Sequence, residues 1–217
     1  MVAVPVKAEY GPSLGRLLAP RWRVASLGRR AAAVVGVLVL LAVLLAAGLT
    51  LENATYSHGG PVPFSFSYRD LYRVAPDPGG YVKVQSRFAD GTLRYSYAVD
   101  PLRLAPYSGS VSGELPIYAA GYIRALGRRY GGFALRGEGK TMLNSTLSGY
   151  QIAYTAEVEG REMFARSLLL MPAGVGVREG VIVVALASPR ANIHTLSPLE
   201  VASTGVLLRP VKTFAFG

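Results

Sequence analysis

Residues 31–51 form an apolar stretch in which Thr50 has the only polar side chain. At about 1.5 Å of rise per residue, a helix of this length spans roughly the 30 Å hydrocarbon core of a bilayer. No proline or charge interrupts the stretch, so a helix can satisfy all of its backbone polar groups, as lipid requires. We therefore predict a transmembrane helix over residues 31–51.

The charges on either side of this stretch predict its orientation. Residues 1–30 contain six basic residues and one acidic residue, Glu9, so this tail has a net charge of +5. Basic residues beside a spanning helix stay on the cytoplasmic side, and on the other flank no basic residue precedes Arg69. We predict a single-pass protein of the cell membrane, with its N-terminus in the cytoplasm and one extracytoplasmic domain over residues 64–217.

Two features of the N-terminal region leave alternatives open. Small residues at 46–48 would suit signal-peptide cleavage, but the apolar run exceeds the roughly 7–15 residues of a signal sequence, so we favour a retained anchor. The basic tail either lies on the anionic inner leaflet, where Trp22 would suit the interface, or only determines topology, which we favour. Residues 52–63 are polar, rich in turn-forming residues and without any period, which predicts a linker.

Residues 81–99 show the alternation of a β-hairpin. Asp90-Gly91 suits the positive φ angles of a tight turn between its two strands. The positions that alternate on one face of the predicted strands are Val82, Val84, Ser86 and Phe88 before the turn and Leu93, Tyr95, Tyr97 and Val99 after it. Residues 100–116, rich in proline and glycine, then predict a loop, and residues 117–130 have the spacing of a short amphipathic helix.

The C-terminal half predicts four β-segments and a capped helix. The β-segments are residues 133–143, 150–158, 161–171 and 181–187. The last of them, VIVVALA, is apolar throughout, which predicts a central strand covered on both faces. Ser197, Pro198 and Glu200 form a capping box for a helix that Gly205 would end, and residues 206–217 are expected to be extended. This order predicts an α+β domain with an antiparallel sheet flanked by short helices.

Four short segments in this half resemble the PsbP-like superfamily, in particular its membrane-anchored members in high-GC bacteria. They are residues 138–140, 149–154, 166–170 and 214–217, within a resemblance that covers residues 115–217. The resemblance implies an antiparallel sheet flanked by helices and a role in binding or protein interaction. It implies no shared set of catalytic residues, and a fold does not by itself determine a function.

Residues 134–141, ALRGEGKT, match a relaxed phosphate-binding loop with Ala134 in place of the first glycine. Such a loop needs a helix directly after it, because the free amides of the helix hold the phosphates. Residues 142–146 predict strand or turn instead, and the predicted topology places them outside the cell. We interpret the match as coincidental and predict no cofactor.

The histidines and acidic residues form no recognisable catalytic or metal site. His58 and His194 are far apart in the sequence and lack the spacing of a zinc motif, which needs three close ligands. Glu157, Glu159 and Glu162 flank a predicted turn, where solvated charges are ordinary. The chain has no cysteine, which excludes disulfides, a thiolate nucleophile and a lipidated cysteine. We predict no catalytic residue and no metal.

One group of basic and aromatic residues suits a binding surface. It comprises Tyr122, Arg124, Arg128, Arg129, Tyr130 and Arg136. Such a patch can bind an acidic partner, although a solvated helix face would have the same pattern and is the simpler interpretation. Outside the cell, an anionic wall polymer or an envelope protein suits it better than nucleic acid does.

The sequence therefore predicts a membrane-anchored binding or scaffolding domain of the cell envelope, without catalysis. The alternative is an envelope-associated hydrolase whose active site is too dispersed in the sequence to recognise. The sequence does not determine the partner or the oligomeric state.

Overall fold

The computed structural model describes Gly28 and residues 34–40, 53–144, 147–174, 176–191 and 197–217. The chain divides into two compact units, Met1–Glu52 and Asn53–Gly217. In the first unit, residues 34–40 are helical, and the exposure of their large apolar side chains ranges from 47% for Val34 to 60% for Leu40. They belong to the predicted anchor, which lies mostly outside the described residues. Within those residues, no helix is long and apolar enough to cross a bilayer.

The second unit is built from two antiparallel sheets, one helix of 19 residues and two short helical segments. The strands are β1 (Ala54–His58), β2 (Phe64–Tyr68), β3 (Tyr72–Val74), β4 (Val82–Arg87), β5 (Leu93–Arg103), β6 (Gly131–Leu143), β7 (Leu147–Val158), β8 (Arg161–Leu170), β9 (Glu179–Ala187) and β10 (Ala215–Phe216). The helices are α1 (Val111–Arg129), a 3-10 turn (Pro198–Glu200) and α2 (Leu208–Lys212). The large sheet has the order β3-β4-β5-β9-β8-β7-β6, and the small sheet has the order β1-β2-β10. This confirms an α+β fold with antiparallel sheets.

The large sheet has an apolar core on each face. On one face, Phe64 and Phe66 of the small sheet pack with Val211 of α2 against alternate residues of β4, β5, β8 and β9. On the other face, α1 buries Leu115, Ala119 and Leu126. The unit therefore has three layers: the small sheet with α2, the large sheet, and α1. The strand β9 lies in the middle of the seven, and its residues 180–187 are all buried, which confirms the predicted central strand.

Both predicted hairpins are present. The strands β4 and β5 pair on either side of the turn at Asp90-Gly91, and Gly91 has a φ of 80°. The strands β7 and β8 pair from Gly149↔Leu170 to Val158↔Arg161, joined by Glu159 and Gly160 with φ of 52° and 71°. Positive φ at both central residues is the geometry of the two-residue turn that suits twisted strands.

The prediction of a linker over residues 52–63 was wrong for residues 54–58, which form β1. The register of β1 with β2 runs from Ala54↔Tyr68 to His58↔Phe64. Aromatic packing explains the difference, because the rings of Tyr56 and Phe64 lie 5.9 Å apart and those of His58 and Tyr81 lie 4.4 Å apart. Phe64 and Tyr81 both lie outside residues 52–63, so the pattern of the predicted linker alone does not reveal this packing.

The predicted boundaries of the loop over residues 100–116 were also wrong. The strand β5 continues to Arg103, because β9 supplies a hydrogen-bonding partner up to Glu179. The helix α1 begins at Val111 and contains Gly113 and Pro116 in its first two turns. Pro116 is the sixth residue of α1, so it lies inside the helix and supplies no amide donor to the carbonyl of Ser112 four residues earlier.

The C-terminal segment differs from the prediction in two places. The capping box at Ser197 is present, with its amide donating to Glu200 Oε2 at 3.1 Å, but it starts a single 3-10 turn rather than a longer helix. Residues 208–212, expected to be extended, form α2, which buries Pro210 and Val211 against the core. Burial of these two side chains accounts for a helix that is too short to be stable alone.

Candidate functional site

A cleft of about 800 Å³ opens at the end of the large sheet where β6 connects to β7. Its walls come from three parts of the chain: the start of α1, the β6–β7 hairpin and the segment that follows β8. Sites for small molecules typically occupy roughly 300–1,000 Å³. The cleft therefore has the size of a ligand site.

The β6–β7 hairpin supplies one wall of the cleft. Lys140 pairs with Tyr150 and Met142 pairs with Ser148, so these four side chains share the face of the sheet that α1 covers. Tyr150 is buried, whereas Met142 is 62% exposed on the edge strand. A long, flexible thioether of this kind adapts to ligands of irregular shape.

The start of α1 supplies the opposite wall. Leu115 is buried there, while the hydroxyl oxygens of Ser110 and Ser112 lie 3.1 Å apart at the rim. Tyr107 donates a hydrogen bond of 2.8 Å to the carbonyl of Val177, which ties the loop before α1 to the segment after β8. Two walls of the cleft are thereby fixed to each other.

The charges at the cleft are few. Burial and the nearby Glu138 carboxylate raise the pKa of Tyr150, so its hydroxyl stays neutral beside that carboxylate. Lys140 has no carboxylate within salt-bridge distance among the residues that the structure describes. The lining of the cleft thus combines apolar side chains with hydroxyls and one ammonium, that of Lys140.

The lining of the cleft is mainly apolar. Over residues 53–217, less the gaps given above, no group of three His, Asp or Glu side chains could hold a metal ion. The apolar residues Leu115, Leu147 and Met171 line the cleft together with Met142. A small apolar or amphipathic molecule matches this lining.

The structure separates the predicted basic and aromatic patch into two groups. Tyr122 points into the interior, with its hydroxyl oxygen 3.4 Å from Ser167 Oγ, and burial raises its pKa. Arg129 donates to Asp77 at 2.6 Å and lies over the ring of Tyr130 at 5.2 Å. These side chains are largely engaged within the domain.

The remaining three arginines of the patch are exposed. Arg124 and Arg128 lie on α1, where Arg124 donates to the carbonyl of Ala120 one turn earlier, and Arg136 lies on the edge strand β6. None of the three has a carboxylate partner within the described part of the chain. They are the members of the patch that can contact a partner.

The other motifs fall in structural positions. His58 stacks between Phe64 and Tyr81 with centroid distances of 5.1 and 4.4 Å, and His194 lies outside the described residues. Residues 134–141, which match a phosphate-binding loop, lie within β6 and are not followed by a helix. The strand therefore lacks the helix amides that would hold a phosphate.

Sequence reasoning missed the cleft, because its walls are brought together only by the fold. Ser110, Met142 and Met171 come from three separate segments, and none of these segments carries a binding motif. The one available signal was Met142, a large apolar residue that follows the polar residues Lys140 and Thr141 on β6.

No protein-family profile and no curated protein matches this sequence. Among solved structures, it is similar to LpqN of Mycobacterium tuberculosis, a protein involved in cell envelope biogenesis. The two share 11% identity with a TM-score of 0.47, over 76% of this chain and 91% of that one. It is also similar to protein PA94 of Pseudomonas aeruginosa, whose function is unknown, with 11% identity and a TM-score of 0.34 over 66% and 88% of the two chains. Likenesses of this size do not establish a common function.

Proposed function

We propose that this chain is a single-pass membrane protein of the cell envelope whose extracytoplasmic domain binds a ligand without catalysis. The cleft at the β6–β7 hairpin is the observation that carries the proposal. The predicted helix over residues 31–51 and the basic residues before it support the anchored topology.

Within this proposal, residues 115–217 form a domain of PsbP-like type. The packing of α1 on one face of an antiparallel sheet supports this assignment, because the resemblance implies the same arrangement. The assignment also agrees with a binding role, since binding and protein interaction are what the resemblance implies.

The ligand that suits the cleft is a small apolar or amphipathic molecule. Each buried methylene contributes about 0.8 kcal/mol, so a short hydrocarbon group between Leu115 and Met171 would bind measurably. The hydroxyls of Ser110 and Ser112 and the ammonium of Lys140 would hydrogen-bond its polar end. A hydrolase has no comparable support among the described residues.

The exposed arginines form a second proposed contact. Arg124, Arg128 and Arg136 would bind an anionic wall polymer or an acidic envelope protein. An anchor confines the domain to the membrane surface, so even weak contacts would suffice there. Reversing three charges with Arg124→Glu, Arg128→Glu and Arg136→Glu should reduce partner recovery from membranes, whereas the same reversal at Arg103, Arg161 and Arg209 should not. Equal recovery with both triple variants would rule out the patch.

The cleft is tested with a pair of matched substitutions in the full chain. Ser148→Trp fills the cleft, whereas Ser108→Trp adds the same bulk at an exposed position outside its lining. Small molecules that co-purify from membranes, measured by mass spectrometry, should be lost from the first variant and kept by the second. Identical content in both variants would contradict the proposal.

The anchored topology is tested separately. The full chain should stay with membranes after alkaline extraction. Protease added outside the cell should degrade the domain and spare the basic tail. Release by alkali, or protection of the domain from protease, would contradict an anchored extracytoplasmic domain.

A further inference from the structure

Phe88, Arg94 and Arg190 form an arginine–phenylalanine cluster at one end of the large sheet. The two guanidinium groups lie over the ring of Phe88, at 5.6 Å for Arg94 and 5.2 Å for Arg190. Both arginines are exposed. The cluster presents two cations around one aromatic ring at the surface.

A β-bulge positions Arg94. Ser86 pairs with Tyr95 and Arg87 pairs with Leu93, so Arg94 is an extra residue with no partner on β4. Such a bulge redirects a side chain away from the regular sheet positions. The guanidinium of Arg94 also lies over the ring of Tyr95 at 5.3 Å, and Tyr95 belongs to the apolar core.

Arg190 is held by the turn between β4 and β5. Its guanidinium lies 3.7 Å from Asp90 Oδ2, and Asp90 Oδ1 accepts hydrogen bonds from the amide and hydroxyl of Thr92 at 3.0 and 2.6 Å. Asp90 therefore fixes the turn and orients Arg190 over Phe88 at the same time.

The cluster lies at the end of the sheet where β1 begins. The ring of Phe64 in β2 packs against that of Tyr81, and the amide of Tyr81 donates to the carbonyl of Val99 in β5. Two residues further along β2, the ring of Phe66 lies 4.9 Å from that of Tyr97 in β5. The strand β2 thus runs along β5 in the direction from Val99 toward its start.

Phe64, Phe66 and Tyr68 alternate along β2 on the side that faces the core. Tyr68 therefore lies toward the start of β5, where Arg94 is. Ala54 pairs with Tyr68, which places the beginning of β1 at this end. The cleft lies at the other end of the large sheet, because Gly149 pairs with Leu170 there.

The beginning of β1 is also close in sequence to the predicted anchor. Two residues lie between Leu51, the last residue of the predicted helix, and Ala54, and the three Cα–Cα steps of an extended chain span at most about 11 Å. Residues 54–58 form a strand, so they do not add length to this tether.

We infer that the arginine–phenylalanine cluster contacts the headgroups of the anionic lipid bilayer that carries the anchor, an inference that rests on the proposed membrane anchoring. Guanidinium groups bind phosphate oxygens through paired hydrogen bonds, and basic residues near an anionic leaflet are attracted to it. An aromatic ring is favourable at the level of the headgroups.

The neighbouring charges leave Arg94 as the principal lipid contact. Arg87 is paired with Glu159 through two hydrogen bonds of 2.9 and 2.7 Å, and Arg190 is near Asp90. Arg94 has no carboxylate within salt-bridge distance among the described residues. Contact is therefore expected from specific side chains rather than from a large net charge.

The test uses the full chain in nanodiscs with a single fluorescent label. The chain has no cysteine, so Ala89→Cys in the turn beside Phe88 and Ser108→Cys at the far end each provide one labelling site. Lipids with a nitroxide on the headgroup should quench the label at position 89 at least twofold more than the label at position 108, in nanodiscs that contain phosphatidylglycerol.

The arginines are tested in the same labelled chain. Arg94→Gln with Arg190→Gln should lower the quenching at position 89 to the level at position 108, whereas Arg103→Gln with Arg209→Gln should not. A thermal unfolding curve for each variant establishes that it is folded. If the chain is released by alkaline extraction, the proposed anchor fails. If it is retained but both labels are quenched equally, or quenching survives the loss of both arginines, only the lipid contact is overturned.

Discussion

Arg129, the last residue of α1, donates a hydrogen bond of 2.6 Å to Asp77 in the loop between β3 and β4. Lys83 donates a second one, of 3.1 Å, to the same carboxylate. Burial of Asp77 opposes its ionisation, but the hydrogen bonds and charges of Lys83 and Arg129 outweigh it and lower the pKa of the Asp77 carboxyl. The end of α1 is thereby joined to the edge of the large sheet on which it packs.

This pairing makes part of the stability depend on pH. The pKa of Asp77 in the folded state lies below its ordinary value of 3.8, so the stabilisation is complete above that value and is lost as the pH falls through the folded pKa. The carboxylate is about half exposed, so Asp77→Asn should cost about 0.2–1 kcal/mol at pH 7, less at high salt, and progressively less as the pH falls below 3.8. Urea unfolding in detergent measures this. A cost that is independent of pH would show that the charge is not involved.

Asp100 is expected to behave in the opposite way. Burial, with the nearby Asp77 carboxylate, raises the pKa of Asp100, against the opposing effects of Arg129 and Lys83. Its ionised form therefore costs stability, and this cost is absent below the ordinary value of 3.8 and grows as the pH rises through the folded pKa. Asp100→Asn should raise the thermal midpoint at pH 7 and leave it unchanged near pH 3. A lower midpoint at pH 7 would show that the carboxylate has a favourable partner.

Two glycines of the β6–β7 hairpin should respond differently to the same substitution. A Cβ at Gly149 would lie 2.6 Å from the carbonyl oxygen of Leu169 and 2.8 Å from Leu170 Cδ2, whereas a Cβ at Gly139 would meet nothing within 4 Å. Gly149→Ala should destabilise the domain by about 1–3 kcal/mol, because the backbone must shift to relieve the overlap. Gly139→Ala should change stability by less than about 0.5 kcal/mol in the same unfolding experiment. Equal effects would contradict the packing described for β7 and β8.

Arg166 offers a site for a stabilising substitution. Its guanidinium donates to Gln151 Oε1 from Nε at 3.1 Å and from Nη2 at 2.6 Å, and burial lowers its pKa. Gln151→Glu would supply a carboxylate of nearly the same shape, and charge-assisted bonds should stabilise the fold by about 1–2 kcal/mol at pH 7. The gain should shrink as the pH falls below about 4.3, the ordinary pKa of a glutamate, and be lost as the pH falls through the lowered pKa of the paired carboxyl.

The control for this prediction is the same change in an Arg166→Met chain. Without the guanidinium, Gln151→Glu should lower stability, because a partly buried charge would lack a partner. A gain of similar size in both backgrounds would show that Arg166 does not cause it. The two single and one double variants form a thermodynamic cycle that isolates the pairwise energy.

Local patterns predicted the elements whose structure is locally determined. The turn at Glu159-Gly160 follows from two residues, and the centre of the large sheet follows from the unbroken apolar run of residues 181–187. Short elements held by packing on side chains outside the segment itself were missed. The strand β1 depends on rings from β2 and on Tyr81, and α2 depends on the burial of Val211.

The candidate site was predictable only in part for the same reason. Exposed arginines on a helix were correctly placed at Arg124 and Arg128, but helical spacing does not reveal that Tyr122 turns inward to Ser167. The cleft requires Leu115, Met142 and Met171 to meet, which depends on the register of three strands and the path of α1. That information is tertiary and is absent from any single window of sequence.

The strand β2 lies between β1 and β10, which come from opposite ends of the second unit. The amide of Ser67 donates to the hydroxyl of Thr213 at 2.8 Å, across 146 residues of chain. Contacts of such separation form late, because a long loop must close first. During synthesis, the face of the large sheet on which Phe64, Phe66 and α2 pack therefore stays incomplete until residues 206–217 have been made. This interval is when a nascent chain would most need a chaperone.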